Sequence, residues 1–287
     1  MAKLRSYISL VTLLLLGLPS LRASEVMAVD LEPKTLDAFN RYVKITQERI
    51  DKEVTRPGAF LYLEGVAEPE RSKIHASLQK GDIYMERLET HDGAGATIEA
   101  PDGLIHHWIG AVFIPGSNLQ QVLATVQDYD HHQDIYLPEV VRSRLVHRDG
   151  NDFQIYYRLV KKKVITVTLN TNHDVKYFPI DSRHCRSRST ATRIAEVVNA
   201  GDPGESEKPV GHDGGFLWRL NSDWRFEEQD GGVYVECESV SLTRDIPAGF
   251  GWIVKPFVTS IPRESLVMTL SSTRTAVQAR GHSISSK

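Results

Sequence analysis

Hydrophobic and polar positions change rhythm several times along this chain. Over residues 33–50, "PKTLDAFNRYVKITQERI", apolar side chains recur at helical spacing: Leu36, Phe39, Val43 and Ile50 share one side and charges fill the rest. An amphipathic helix packed on a domain is expected. Its polar face mixes acid and base, which fits a protein surface better than an anionic bilayer. Residues 58–65, "GAFLYLEG", read as a short strand, 68–81 as a short helix stopped by Gly81, and 82–89 as a strand. Residues 90–103 form a Gly- and Asp-rich loop without the glycine spacing of a phosphate or dinucleotide loop.

From Leu104 the pattern is more regular. Residues 104–116 read as a strand ended by Pro-Gly. Residues 117–129 read as a helix with Ser117 as N-cap and Leu119, Val122, Leu123 and Val126 on one face. After an irregular stretch at 130–138, alternation of period two predicts strands at 139–148, 152–160, 164–177, 184–198, 216–229 and 232–243. Asp230-Gly231 between two of them is a strong hairpin signal, and 201–214 is a polar excursion. Residues 260–280 return to helical spacing, with Pro262 in the first turn and Leu266, Leu270, Thr273 and Val277 as the inward stripe. Closely linked strands followed by a long apolar-striped helix predict an α+β fold: a curled antiparallel sheet wrapped around a long C-terminal helix. Residues 24–103 would form an N-terminal extension packed on this 104–280 domain, and 281–287 a flexible tail.

The first residues are read separately. Lys3 and Arg5 precede the apolar run "ISLVTLLLLGL", and Ala23 in "LRAS" offers a cleavage position, the layout of a secretory signal peptide over residues 1–23. An uncleaved N-terminal anchor is the alternative. Cleavage removes Lys3, Arg5 and Arg22 and no acid, so 34 basic residues become 31 against 37 acidic, a net of −6. That balance disfavours nucleic acid, which needs a concentrated basic surface. A periplasmic or secreted location is expected. Cys185 and Cys237 are the only cysteines. A third strand is expected between them, so two buried thiols are favoured over a disulfide, although export makes one chemically allowed.

The order of elements, "YLPEVVRSRLV" after the first domain helix, the run "WRFEEQDGGVYVECESVSLTRDIP" and the Pro-started last helix resemble the START-related, polyketide cyclase-like superfamily with its helix-grip fold. The resemblance covers roughly residues 104–280. It implies an apolar ligand held between sheet and helix, or chemistry performed on one, and brings no universal catalytic motif.

Alternation within the strands then nominates cavity residues. Trp218 and Trp224 lie on the inward face of 216–229; Ser189 and Ala191 on 184–198; Ile155 and Tyr157 on 152–160; Trp108 and Val112 on 104–114; Leu266 and Leu270 on the last helix. Large residues on some strands face small ones on others. Either this leaves room for a ligand, or the helix simply packs closest where the residues are small. Tyr157 or Trp218 would orient a polar head group. "DYDHHQD", 128–134, invites a metal reading, but adjacent histidines rarely share an ion and the calcium-loop pattern fails, so neither metal nor cofactor is expected. "IHHW", 105–108, puts His106 and His107 on opposite faces, and whichever points inward is a candidate general base. Lys161, Lys162 and Lys163 form a hairpin tip that, placed at a cavity mouth, would meet anionic lipid head groups during transient membrane contact. Three functions remain open: an exported carrier of a lipid or other apolar small molecule, a cyclase- or dehydratase-type enzyme using the same cavity, and an interaction module whose 24–103 extension fills the cleft or docks a partner.

Overall fold

The computed structural model describes residues 28–56, 58–163, 165–246, 255 and 260–285. The segment read as a signal peptide lies outside them. Strand β1 (Val29–Asp30) leads to helix α1 (Pro33–Glu53), α2 (Glu70–Gln79), β2 (Tyr84–Arg87) and β3 (Gly103–Pro115). Helices α3 (Leu119–Val126) and α4 (His132–Ile135) precede β4 (Val140–Asp149), β5 (Asp152–Lys162), β6 (Thr166–Pro179) and β7 (His184–Val198). The short strands β8 (Ser206–Glu207) and β9 (His212–Asp213) follow, then β10 (Arg219–Gln229), β11 (Gly232–Arg244) and α5 (Ile261–Ser285). One nine-stranded sheet runs β2-β3-β11-β10-β7-β6-β5-β4, with β8 on β7, while β1 pairs β9. All these pairings are antiparallel. The sheet curls around α5, which is the helix-grip arrangement.

The closest seam lies between α5 and β3. Leu266, Leu270, Thr273 and Val277 are all buried, and Leu270 meets the sheet at Gly110. A Cβ on Gly110 would lie 2.7 Å from Leu270 Cδ1 and 2.6 Å from Met85 Sδ, closer than packed atoms allow. Glycine here sets how near the helix comes.

The opposite face of the sheet is covered by α1. Alternation makes Asp223, Arg225, Glu236 and Glu238 look like a solvated face. Instead they are buried, Arg225 at 2% exposure and Glu236 at 1%. Charge is tolerated there because it is paired. Arg225 Nη2 donates to Glu53 of α1 at 2.8 Å and lies 3.7 Å from Glu238. Arg49 of α1 bonds both Glu53 and Glu238. His107 Nε2 sits 2.7 Å from Glu238, and Tyr42 of α1 holds the other ring nitrogen at 2.9 Å. Arg186 and Arg188 bind Asp51 of α1 at 2.5 and 3.1 Å.

The same acids explain one departure from the sequence reading. Residues 58–65 are not a strand; Tyr62–Gly65 is a 3₁₀ turn. Glu236 accepts the backbone N–H of Tyr62 at 2.8 Å and of Leu63 at 3.1 Å, taking donors that a strand ladder would have used. The α3 cap is Asn118, not Ser117: Asn118 and Gln121 form a reciprocal capping box, while Ser117 bonds the Ile114 carbonyl. The excursion carries β8 and β9, and α5 continues to Ser285, into the stretch read as a tail. Strand β10 starts at Arg219, not at 216.

Two consequences are measurable. Gly110→Val should destabilise the protein by about 1–3 kcal/mol in urea denaturation, the usual cost of overpacking. Burial pushes the Glu236 carboxyl up to about 7, against the pull of Arg225 and the two backbone donors. The unfolded carboxyl ionises near 4.5, so this group's stabilisation is present below that pH and lost as pH rises towards 7. Glu236→Gln should therefore lose less stability than wild type between pH 5 and pH 8; parallel losses would contradict this.

Candidate functional site

Between the curled sheet and α5 lies a cavity of about 280 Å³. Strand alternation builds its walls. From β10, Leu220, Ser222, Trp224 and Phe226 face in, and from β11, Cys237, Ser239, Ser241 and Thr243. Strand β7 adds Ser187 and Ser189, and α5 adds Ile261, Leu266 and Met268. The step from large aromatics on β10 to small residues on β11 is thus a wall with room in front of it. Trp224 stacks on Phe226, with centroids 6.0 Å apart and planes at 9°.

Five nominated residues stand on this wall: Ile155, Tyr157, Ser189, Trp224 and Leu266. Four stand beside it. Trp108, Val112 and Leu270 belong to the packed core at the β3 seam, where the helix is too close to leave space. Ala191 packs with Ile165, Val167 and Ile194. It adjoins the irregularity at which Asn172 pairs Arg193 and His173 pairs Ala191, so strict alternation fails there.

Trp218 is a correction. It packs on the other face with Phe39, Tyr42 and Leu242, so it cannot orient a ligand head group in this cavity. Gly215 takes φ +68°, and Asp213 accepts both the Gly215 N–H at 2.7 Å and the Trp218 indole at 3.1 Å. Trp218 precedes the first residue of β10, Arg219, and the adjacent Phe216 and Leu217 both line the cavity, so the alternation on which the inward reading of Trp218 depended does not extend back to it.

The polar end of the cavity was missed in the sequence. Val126, Tyr129, His132 and Tyr136 close it from the helices, opposite Tyr157, His173 and Tyr177. His132 Nδ1 lies 2.6 Å from the Tyr157 hydroxyl, and its Nε2 has no hydrogen-bond partner among the described residues. Burial pushes His132 down to about 4, against the opposing influence of Asp128 and the Thr125 and Val126 carbonyls. Burial alone takes His173 to about 4, and burial, with Tyr129 and Tyr136 nearby, raises the Tyr157 hydroxyl well above its ordinary range. Tyr129 and Tyr177 hydroxyls meet at 3.0 Å, as do Tyr136 and Thr273. The signal was "DYDHHQD", where a helical reading would have put Tyr129, His132 and Tyr136 on one inward face.

Other nominated groups are committed elsewhere. His106 bonds Thr243 at 3.0 Å and His107 belongs to the ionic cluster under α1, so neither is a cavity base. Asp128 binds His131 and Arg280, and Asp130 accepts the Leu145 N–H; no metal-binding cluster occurs among the described residues. Lys161 is bonded to Glu139 and Ser265, and the exposed Lys163 pairs with Glu264, which leaves Lys162 as the exposed lysine of the tip without a partner among the described residues. Cys185 and Cys237 are free thiols, separated in the sheet by β10. Helix α1 lies on the far face of the sheet, so it does not plug the cavity.

No family model matches the chain, and no curated protein matches it. Among solved structures, a STAR-related lipid transfer protein from Xanthomonas axonopodis is 15% identical, covering 67% of this chain and 98% of that one at a TM-score of 0.42. Human STARD10 is 7% identical over 77% and 86%, at 0.43. An aromatase/cyclase from Streptomyces sp. R1128 is 12% identical over 62% and 96%, at 0.40. These likenesses are too distant to assign function, and the START-like helix-grip description rests on the strand order and helix placement above.

Nuclear magnetic resonance tests the electrostatics of the polar end. The rings of His132 and His173 should stay neutral from pH 8 to 5.5, whereas exposed His131, raised by its hydrogen bond to Asp128, should titrate. The unfolded chain protonates its histidines near 6.5, so the two buried rings make the fold less stable as pH falls from about 6.5 towards 4. Tyr157→Phe should cost about 1–3 kcal/mol by leaving His132 Nδ1 unpaired.

Proposed function

We propose that this START-like chain is an exported carrier that binds a lipid or other apolar small molecule between its sheet and α5. The carrying observation is the cavity itself: a partly open recess, chiefly apolar, that the protein's own described side chains leave unfilled. Each methylene buried there contributes about 0.8 kcal/mol, so ten give roughly 8 kcal/mol gross, in the micromolar range before the costs of association. The basic-then-apolar residues 1–23 support export. Transient membrane contact would begin with a charge such as Lys162.

One observation favours a second reading, a cyclase- or dehydratase-type enzyme. The His132–Tyr157 pair puts a neutral imidazole and a hydroxyl in the wall of an apolar cavity, the pairing that general acid–base chemistry uses. Turnover that His132→Phe abolishes while ligand uptake persists would identify it.

Filling the cavity tests the carrier. Ser187→Phe and, from the helix side, Leu266→Trp should each weaken uptake of a neutral apolar dye at least tenfold while the circular dichroism spectrum stays native. Full uptake by both folded variants would overturn the proposal. N-terminal sequencing of the mature protein should begin near Ser24 if the leader is removed.

A further inference from the structure

Away from the polar end built around His132 and Tyr157, the cavity wall carries a second polar feature that an oily guest does not need. Ser222 of β10 pairs with Ser189 of β7 on one side and with Ser239 of β11 on the other. The three residues therefore form a single row across three adjacent strands, and all three face the cavity. Neighbouring strands are about 4.8 Å apart, so the hydroxyls span roughly 10 Å. Val175 and Trp108 flank the row at its ends, and the next inward row is Ser187, Trp224 and Cys237. None of the three hydroxyls has a hydrogen-bond partner among the described residues. Ser187 and Ser241 lie on the same wall and are likewise unpartnered. Ser189, Ser222 and Ser239 are each only part-buried, so their hydroxyls are reachable from the cavity, and a guest that covers them loses affinity unless it offers hydrogen-bonding groups of its own.

The wall also discriminates by charge. Its described ammonium group, Lys161, is already joined to Glu139 and Ser265. His132 and His173 are neutral at physiological pH. A carboxylate or phosphate carried inside would find no free counter-charge among the described lining residues.

We infer that the ligand of this cavity is a neutral apolar molecule bearing several oxygen atoms along its frame, lying across the strands so that these oxygens meet the Ser189–Ser222–Ser239 row. A free fatty acid or phospholipid head group would not fit the interior. This rests on the cavity being a ligand site at all, and the test separates the two claims.

Three probes are titrated against the full chain with intrinsic tryptophan fluorescence as readout, to which Trp224 in the wall contributes: hydrocortisone, progesterone, which has the same ring frame with two ketones but no hydroxyl, and oleic acid. The wild type should bind hydrocortisone about tenfold tighter than progesterone, as two or three modest hydrogen bonds would give, and oleic acid more weakly than either. The Ser189→Ala/Ser222→Ala/Ser239→Ala variant, which removes oxygen without adding bulk, should lose that preference while keeping its progesterone affinity. Equal affinity for the two steroids, tightest binding of oleic acid, or an unchanged preference in the variant would overturn the inference while leaving the cavity as a binding site. If no probe binds and nothing apolar is extracted from the purified protein, the carrier reading fails and this inference fails with it.

Discussion

The architecture depends on a contact that stops short. Helix α5 is pressed onto β3 at Gly110, where the absence of a side chain lets Leu270 reach the strand. A helix is straight on the scale of this sheet, and the sheet is twisted and curled. Contact at one margin therefore implies separation elsewhere, and the separation falls over β7, β10 and β11. The small residues on those strands do not draw the helix closer, because its height is already fixed at the β3 seam. The cavity is thus a geometric result of packing that is tight in one place.

The far side of the sheet solves a different problem. A strand buried on both faces is normally hydrophobic throughout, yet β10 and β11 alternate cavity-facing residues with Asp223, Arg225, Glu236 and Glu238. Helix α1 makes this tolerable by bringing Arg49 and Glu53 to meet them, while its Asp51 is linked to Asp223 through Arg188 of β7. Burying such a set is rarely more stabilising than a hydrocarbon core would be, but breaking it leaves charge stranded. The cluster favours one placement of α1. It also fixes the chain after α1, because Glu236 holds the amides of Tyr62 and Leu63. One acid, facing away from the cavity, sets the path of the extension.

Much of the fold was legible because its signals are local. Strand alternation, the Asp230-Gly231 hairpin and the α5 stripe each depend on neighbours within a few residues. The hairpin turn has φ values of +56° and +74° at those two positions, as its composition implied. The failures have a common cause in long-range pairing. Nothing near Tyr62 announces that Glu236 will take its amide. Nothing in the alternation of β10 tells a solvated arginine from one buried beneath a distant helix. Trp218 was misplaced because parity was carried back past Arg219, where β10 begins, into a segment in which the adjacent Phe216 and Leu217 both face the cavity. The cavity was half legible: Trp224, Ser189, Ile155 and Tyr157 follow from alternation, whereas His132 depends on the short α4 and on a partner across the fold.

Strand β2 has a role that its four residues do not suggest. It pairs with Trp108 through Ala111 and so occupies the free margin of β3 at the middle of that strand. A chain cut back to begin at residue 104 would bare that row of peptide groups and, on the neighbouring face, deprive Arg225 of Glu53. Such a fragment would present an unpaired edge to its own copies, an invitation to intermolecular strand addition. What looks like an appendage to a minimal domain therefore acts as its margin, and the smallest well-behaved form of this protein includes it.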